Sequence, residues 1–410
     1  AQLNAALDDI VPGTERVLIS EDAGFGEGAH FYKFKGRYYI TCSNYDPIGY
    51  MACARSDRIE GPYEITTISA EETFGTGNGW RLEGMGWGEF GEFNLNPPQP
   101  HQMGAIPLHQ GGIVDTPAGE WWAVSMTDQN SLGRLTALSP ITWQDSWPYF
   151  GLPGNLLRTP RTWLKPTTSE PSPIHAPYQR NDSFNGPDLA NVWQWNHVPV
   201  PEAWSLETRP GYLRLTAQPA DDFWFARNTL TQRAVGPESV ATIIVDPAGL
   251  KPGDRGGLAL VNYPYATLGV SRDSHDGFTI DRIDQNADAP IQTALPAGTE
   301  RVWLRAHCNF DTEQTTLSFS TDGHHFIPVG EPFTTVFQLH TFQGVRYGLF
   351  NYTTGGEIGG HLDFESFTLD EPRAKRSIPF GREITLTSRA EDAVLGVWRG
   401  RLRLYPADAP

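Results

Sequence analysis

The feature that most constrains this chain is a short unit that occurs twice in its first part. Residues 29–43 (AHFYKFKGRYYITCS) and 112–126 (GIVDTPAGEWWAVSM) each contain a strand pattern, a tight turn with a glycine, and a second strand pattern that opens with two aromatic residues. A glycine turn between two such segments is typical of a β-hairpin. Repetition of a small antiparallel unit predicts the radially arranged blades of a β-propeller rather than a plain sandwich.

Short alternating segments continue beyond residue 181, separated by turns such as 246–254 (DPAGLKPGD) and 320–326 (STDGHHF). Regular short strands with Gly and Asp turns predict a two-sheet β-sandwich. A chain of 410 residues is too long for one ordinary core, so more than one domain is expected. We therefore predict an all-β chain with the following divisions: propeller blades over 1–164, a Pro- and Ser-rich linker over 165–180, a sandwich over 181–372, and two further strands, not assigned to a domain, within 373–410.

The charge and the hydropathy of the chain exclude several classes of partner. The formal net charge is −17, which opposes binding to nucleic acid because two polyanions repel each other. No apolar run approaches the length that spans a membrane, and the N-terminus lacks the pattern of a signal peptide. These features predict a soluble protein with no nucleic-acid or membrane partner. They leave the compartment open, with secretion slightly favoured.

The cysteines are too few to form a disulfide framework. The chain has three, Cys42, Cys53 and Cys308. Cys42 and Cys53 lie on the two sides of a predicted hairpin, so they either form one disulfide bond or remain buried free thiols.

The most suggestive polar residue is Glu27, which lies between two glycines just ahead of the first unit. Glycine flanks let a large ligand approach closely, so this glutamate is a candidate proton donor; the alternative is a solvated turn residue. His109 enters the second unit where His30 enters the first, and a histidine there either binds a metal or water or makes an ordinary hydrogen bond. Arg134 follows a glycine turn, where a guanidinium binds either sugar hydroxyls or a surface carboxylate.

Aromatic residues supply further candidates. Trp80 and Trp87 lie in a long glycine-rich segment, residues 71–100, which we interpret as the wall of a cleft. Phe223–Phe225 (FWF) fits core packing better than a sugar site. The turn that carries Asp322 and two histidines fits a solvated hairpin tip better than a metal site.

Four segments, in their order along the chain, resemble the later blades of glycoside hydrolase family 43: residues 27–39, 54–64 (ARSDRIEGPYE), 109–122 (HQGGIVDTPAGEWW) and 133–143 (GRLTALSPITW). Members of this family are five-bladed propellers that hydrolyse arabinofuranosides and xylosides with inversion. The second half is similar to the concanavalin-like C-terminal sandwich of many of these enzymes. The resemblance therefore implies the later blades of a five-bladed β-propeller followed by a β-sandwich.

The same resemblance implies roles for individual residues. Glu27 matches the general acid of the family, and Arg134 matches the arginine that holds substrate hydroxyls. His30, Trp80 and Trp87 are candidates for substrate binding. Members of the family have a histidine at the propeller axis that often binds calcium or water, and His109 falls at or next to its position. Calcium at the propeller axis is therefore an expectation. An alignment made backwards from residues 114–116 places Gln110 at that position instead.

One element of the family pattern is not found. An inverting glycosidase needs a base carboxylate about 6.5–9.5 Å from the acid, and in family 43 it lies in the first two blades, far before the acid. Only 26 residues precede Glu27, and Asp8, Asp9 and Asp22 lie in no recognisable motif. The expectation is that the first two blades are missing from this chain and are supplied by a second chain, a cleaved partner or an omitted segment.

The function implied by this resemblance is that of an inverting exo-glycosidase. It would release α-L-arabinofuranosyl residues, or β-D-xylosyl residues, from plant polysaccharides such as arabinoxylan. The alternative is a non-catalytic propeller and sandwich that binds carbohydrate without cleaving it.

Overall fold

A computed structural model describes residues 1–44, 50–69, 109–128, 130–157, 159–160, 163–167, 178–275, 277–336, 343–373, 386–388, 393–398 and 401–406. Strands dominate these ranges. The helical segments among them are single 3₁₀ turns: Glu21–Ala23, Asn130–Leu132, Pro201–Ala203 and Phe223–Phe225. The prediction of an all-β fold is confirmed.

The first repeated unit forms the inner half of an antiparallel meander. Its strands, as far as the structure describes them, are β1 (His30–Phe34), β2 (Arg37–Asn44), β3 (Tyr50–Ser56) and β4 (Glu64–Thr67). The predicted turn between β1 and β2 contains Gly36 at a φ of 83°, a conformation that residues with a side chain rarely adopt. This sheet has the strand order of a propeller blade.

The second unit opens a similar meander. Its described strands are β5 (His109–Asp115), β6 (Trp121–Asp128), β7 (Arg134–Gln144), β8 (Trp147–Leu152) and β9 (Asn155–Leu156). The β5–β6 turn contains Gly119 at a φ of 81°, which matches the turn of the first unit. The similarity of the two units in sequence is thus a similarity of two blades in structure.

Aromatic side chains from the repeated units pack the two blades together. Phe34 lies 4.6 Å from Trp121 and 5.0 Å from Trp143, between ring centroids. A backbone hydrogen bond of 2.8 Å from the Phe150 amide to the Ile68 carbonyl oxygen also joins the blades. Aromatic rings bury large apolar areas. Trp121, the first residue of the second strand in the second unit, therefore contributes to packing between the blades.

Two sheets form the sandwich. Along the described chain, the first sheet contains β10 (Gln194–Trp195), β14 (Leu230–Arg233), β24 (Arg346–Thr353), β16 (Asp254–Val261), β17 (Ala266–Arg272), β18 (Phe278–Asp284) and β19 (Ile291–Ala294), with β13 (Gln218–Pro219) parallel to β24. The second contains β11 (Trp204–Ser205), β12 (Leu213–Thr216), β25 (His361–Asp370), β15 (Glu238–Asp246), β20 (Val302–Asn309), β21 (Gln314–Ser320) and β22 (Ile327–Pro328), with β23 (Phe333–Thr334) beside β21.

The sandwich core lies between these sheets. β15 shows strict alternation, with Ala241, Ile243 and Val245 fully buried, because successive residues of a strand point to opposite faces. The core also contains Leu132, a residue of the segment between β6 and β7. The second blade therefore inserts a side chain into the sandwich.

Two smaller predictions about the sandwich concern its turns. Phe223 is buried and packs edge-on against Phe350 at 5.0 Å, so it fills a core cluster as expected, whereas Phe225 is exposed. Asp322 lies at the exposed turn after β21. It accepts hydrogen bonds from the backbone amides of His324 and His325, as expected for a hairpin tip.

The cysteines are free and buried. In the β2–β3 pair Cys53 is opposite Thr41, and Cys42 is opposite Ala52. Cys42 and Cys53 are thus offset by one residue, so their side chains point to opposite faces of the sheet and form no disulfide bond. Burial raises the pKa of the Cys42 and Cys308 thiols to about 11.

The tail contains one strand more than the sequence predicts. Its described strands are β26 (Leu386–Ser388), β27 (Ala393–Trp398) and β28 (Arg401–Pro406), and they pair as an antiparallel meander. Separately, none of the helices in the described ranges has the length and apolar character needed to cross a membrane.

Candidate active site

The backbone of Glu27 is held against β2. The Ser43 amide donates a 3.0 Å hydrogen bond to the Glu27 carbonyl oxygen. A Cβ atom on Gly26 would lie 2.2 Å from the Ser43 carbonyl oxygen, so only glycine allows this close approach. Gly28 follows with a φ of 71°. The flanking glycines therefore let the loop lie close to β2 while the Glu27 side chain stays exposed.

An irregularity in β5 places Gln110 next to this loop. The register of the β5–β6 pair shifts between His109 and Gly112, and Gln110 has a φ of 45°. Such a bulge redirects a side chain out of the regular alternation. The Gln110 backbone amide donates a hydrogen bond to the Ser43 hydroxyl, so the bulge is attached to the strand that also holds Glu27.

The side chain of Gln110 connects Glu27 to Arg134. Its amide nitrogen Nε2 donates a hydrogen bond to Oε1 of Glu27. Its amide oxygen accepts a 3.2 Å hydrogen bond from Nη1 of Arg134. The structure therefore brings together the predicted acid and the predicted sugar-binding arginine through one neutral amide. We name this group, Glu27, Gln110 and Arg134, the acid–arginine link.

The sandwich holds the segment that ends at Arg134. The Ser131 amide donates a 2.6 Å hydrogen bond to Oε1 of Glu313, and the Ser131 hydroxyl donates to Oε2 of the same carboxylate. The Ser131 carbonyl oxygen accepts a 2.8 Å bond from the Val345 amide. The Arg233 guanidinium donates to the carbonyl oxygens of Leu132 (3.1 Å) and Arg134 (2.6 Å).

The other predicted site residues are only partly described. His30 is exposed at the start of β1, and its ring stacks on Tyr32 at 6.4 Å between centroids. A Cβ atom on Gly112 would lie 3.2 Å from Nδ1 of His30, so this ring lies beside β5 and near the bulge. His109 begins β5, but its side chain is outside the described residues. The predicted cleft wall with Trp80 and Trp87 is also outside them.

Comparison with known proteins points to one family for this chain. Residues 181–370 match the family model described as the beta xylosidase C-terminal concanavalin A-like domain. A putative beta-xylosidase of Xylanibacter ruminicola is 30% identical over 327 residues, which cover 78% of this chain and 54% of that protein. A solved structure titled as a bifunctional GH43-CE protein of Bacteroides eggerthii is 30% identical, with a TM-score of 0.72 over 90% of this chain and 44% of that one.

Residues 181–370 thus match the C-terminal domain of glycoside hydrolase family 43, and the chain as a whole is similar to proteins of that family. It is also 31% identical, over 199 residues, to the non-reducing end alpha-L-arabinofuranosidase BoGH43B of Bacteroides ovatus. This match covers 46% of the chain and 32% of that protein. The chain spans about half the length of the first of these curated relatives. The sequence-based assignment of the family is confirmed.

The family 43 resemblance implies a cation at the propeller axis, beside His109 or Gln110. The Gln110 amide is engaged by Glu27, and the neighbouring Arg134 guanidinium opposes a second positive charge there. Among the residues that the structure describes, no three His, Cys, Asp or Glu side chains gather into a metal site. The described donors do not fit calcium, and we assign no step of a reaction to it; a site that uses the His109 side chain remains a prediction.

The geometry suits proton donation by Glu27. An exposed carboxyl group can reach a glycosidic oxygen, and one fixed amide donor orients it. Arg134 offers a planar set of donors that can bind two vicinal sugar hydroxyls. Sequence reasoning placed Gln110 near the axis but missed its contact with Glu27, and it missed Glu313 altogether, because both contacts join residues far apart in the chain.

Proposed function

We propose that this chain contributes the acid half of the active site of an inverting exo-glycosidase. The substrate is a plant polysaccharide such as arabinoxylan, from which the enzyme releases a terminal α-L-arabinofuranosyl or β-D-xylosyl residue. The observation that carries the proposal is the acid–arginine link, in which Gln110 donates to Glu27 and accepts from Arg134. The names of the relatives, a putative beta-xylosidase and an alpha-L-arabinofuranosidase, support the choice of pentosyl groups.

In this proposal Glu27 protonates the glycosidic oxygen as the bond to the anomeric carbon breaks. Arg134 binds hydroxyl groups of the terminal sugar and fixes its position relative to the acid. A water molecule attacks the anomeric carbon from the opposite face and passes its proton to a base carboxylate. That base, about 6.5–9.5 Å from Glu27 in an inverting enzyme, is assigned to a part of the propeller beyond the described residues, from this protein or from a second chain.

Inversion gives the proposal a specific experiment. The purified protein is incubated with 4-nitrophenyl α-L-arabinofuranoside and 4-nitrophenyl β-D-xyloside, and the anomer released first is followed by proton NMR. We expect release of the pentose with inverted configuration from at least one of them. Binding of both glycosides without release would support a carbohydrate-binding protein instead, and release with retained configuration would contradict the assigned mechanism.

A further inference from the structure

Two arginines face each other on the sandwich beside the acid–arginine link. Arg233 of β14 is directly opposite Arg346 of β24 in an antiparallel pair. Side chains at directly opposite positions lie on the same face of the sheet, where like charges repel each other. Arg180 adds a third guanidinium, because its Nη1 atom donates a 3.4 Å hydrogen bond to the Arg233 carbonyl oxygen.

The acceptors that the structure describes for these three guanidiniums are neutral. Arg233 donates to two backbone carbonyl oxygens of the second blade. Arg346 donates to the Thr231 hydroxyl and to the side-chain oxygens of Gln194 and Gln343. Within the described part of the chain, none of the three forms an ion pair with a carboxylate, although acidic residues outnumber basic ones, 48 to 31. The group therefore carries positive charge that no described side chain neutralises.

A cleft opens beside two of these arginines, Arg180 and Arg233. It has a volume of about 580 Å³ and lies between the second blade and the sandwich; its lining includes Leu132, Arg134, Arg180, Arg233, Gly236 and Pro237. We name it the arginine cleft. Arg134 lines this cleft and also belongs to the acid–arginine link, so the cleft and the candidate active site share a residue.

We propose that the arginine cleft binds an anionic substituent, a carboxylate or a sulfate ester, on the glycan beside the pentosyl residue that is released. The inference rests on the proposed function for its glycan context. Guanidinium groups pair with planar carboxylates and with sulfate oxygens through two parallel hydrogen bonds. An anion between Arg180 and Arg233 would also relieve the repulsion that Arg233 and Arg346 experience. A glucuronosyl branch on a xylan chain is a substituent of this kind.

Binding measurements test the inference without requiring turnover. The full chain carrying Glu27→Gln is titrated calorimetrically with three ligands of equal backbone length: unbranched xylotriose, xylotriose with one glucuronosyl branch, and xylotriose with one sulfate ester. We expect roughly tenfold tighter binding of at least one anionic ligand than of the neutral one at low salt, with the advantage shrinking as salt is added. The ligand that shows the advantage identifies the source of the anion.

Two variants locate the effect. Arg180→Gln removes a guanidinium whose described contact is one long hydrogen bond to a backbone carbonyl oxygen, so the fold is expected to persist. The variant should lose most of the anionic preference while its binding of the neutral ligand stays unchanged. Arg301→Gln, which removes an equal charge from a surface pair with Glu365, should leave the preference intact. Equal affinity for all three ligands, no binding of any ligand, or a preference that survives Arg180→Gln would overturn the inference.

The outcome is distinguishable from a failure of the proposed function. Turnover of neutral aryl pentosides by the unmodified protein, with no preference for anionic ligands, would contradict anion binding in the arginine cleft and would support the proposed glycosidase activity. A preference for anionic ligands without turnover of any glycoside would support anion binding in the arginine cleft and contradict the glycosidase activity.

Discussion

The buried carboxylate of Glu313, in the sandwich, accepts hydrogen bonds from both the backbone amide and the hydroxyl of Ser131, between the strands of the second blade. Glu313 is 8% exposed and Ser131 is 1% exposed. Hydrogen bonds to a charged acceptor are stronger than those between neutral groups, and a buried acceptor is costly to leave unpaired. The sandwich thus fixes the short segment that leads into Arg134.

We expect Glu313→Ala to impair catalysis as well as stability. Loss of the carboxylate leaves the Ser131 amide without this acceptor and should lower the free energy of unfolding by about 1–3 kcal/mol. The displacement of Arg134 should lower kcat/KM for aryl pentosides by about 10- to 100-fold, because small misplacements of a positioning group are costly. Both quantities are measured at a temperature where the variant is fully folded.

Two further variants serve as controls for this prediction. Glu313→Gln keeps an acceptor oxygen and should restore part of the activity. Glu365→Ala removes a sandwich carboxylate that pairs with Arg301 and should leave kcat/KM unchanged. A folded Glu313→Ala protein with normal kcat/KM would show that the sandwich does not position Arg134.

Gln110→Leu tests the amide that joins the acid to the arginine. The substitution removes the donor to Glu27 and the acceptor from Arg134 while nearly preserving side-chain size. We expect kcat for an arabinoxylo-oligosaccharide to fall by about 10- to 100-fold, less than the roughly 10²- to 10⁴-fold that a positioned acid contributes, because Glu27 itself remains. Stability should change little because the Gln110 side chain is half-buried. Gln144→Leu, at the exposed end of β7, is the matched control. Identical losses in the two variants would argue against a role for the link.

The glycine before the acid should not tolerate a methyl group. In Gly26→Ala the added Cβ atom would lie 2.2 Å from the Ser43 carbonyl oxygen, so the loop must move away from β2. Gly36→Ala meets no atom within 4 Å and carries the cost of its positive φ alone, roughly 1 kcal/mol. We expect Gly26→Ala to lose most activity and Gly36→Ala to retain it. The comparison uses kcat/KM and thermal midpoints, and the reverse order would contradict the loop geometry.

The sandwich should lose stability at low pH because of Asp363. Burial raises the pKa of this carboxyl group, but hydrogen bonds from Arg214 and Arg209 outweigh burial and hold its pKa below the usual value. The unfolded chain therefore binds the proton first as the pH falls. Stability from this group is complete above about pH 4 and is lost as the pH falls further, through the pKa of the folded state.

Asp363→Asn should remove that part of the pH dependence. Breaking a buried ion pair by removing one partner costs about 3–5 kcal/mol, so the free energy of unfolding in urea at pH 7 should fall by that order. The difference between the unmodified protein and the variant should shrink between pH 4 and pH 2. A difference that stays constant over this range would mean that the Asp363 carboxylate does not contribute.

Local sequence patterns were sufficient to predict much of the fold. The turns at Gly36 and Gly119 and the alternation of β15 follow from short-range rules about positive φ and two-residue periodicity. The acid–arginine link was not predictable in the same way. Gln110 reaches Glu27 only because a bulge with a φ of 45° turns its side chain, and residue-type patterns do not report such a bulge.

The contact between Glu313 and Ser131 could not be predicted from the sequence for a different reason. These residues are separated by 182 positions and lie in turns of different domains, so their contact depends on how the second blade lies against the sandwich. In the tail, the alternation of apolar and polar residues was not enough to predict every strand. Leu386–Ser388 is a three-residue strand, too short for a two-residue period to be recognised.

The central claim is that Glu27 supplies the proton to the leaving group, and leaving-group dependence tests it most directly. The rates of the unmodified protein and Glu27→Gln are compared on a natural arabinoxylo-oligosaccharide and on the 4-nitrophenyl glycoside of the same pentose. We expect Glu27→Gln to lower turnover of the oligosaccharide by about 10²- to 10⁴-fold, and to lower turnover of the nitrophenyl glycoside far less, because nitrophenolate departs without a proton. Equal losses on the two substrates would contradict the assignment of Glu27 as the general acid.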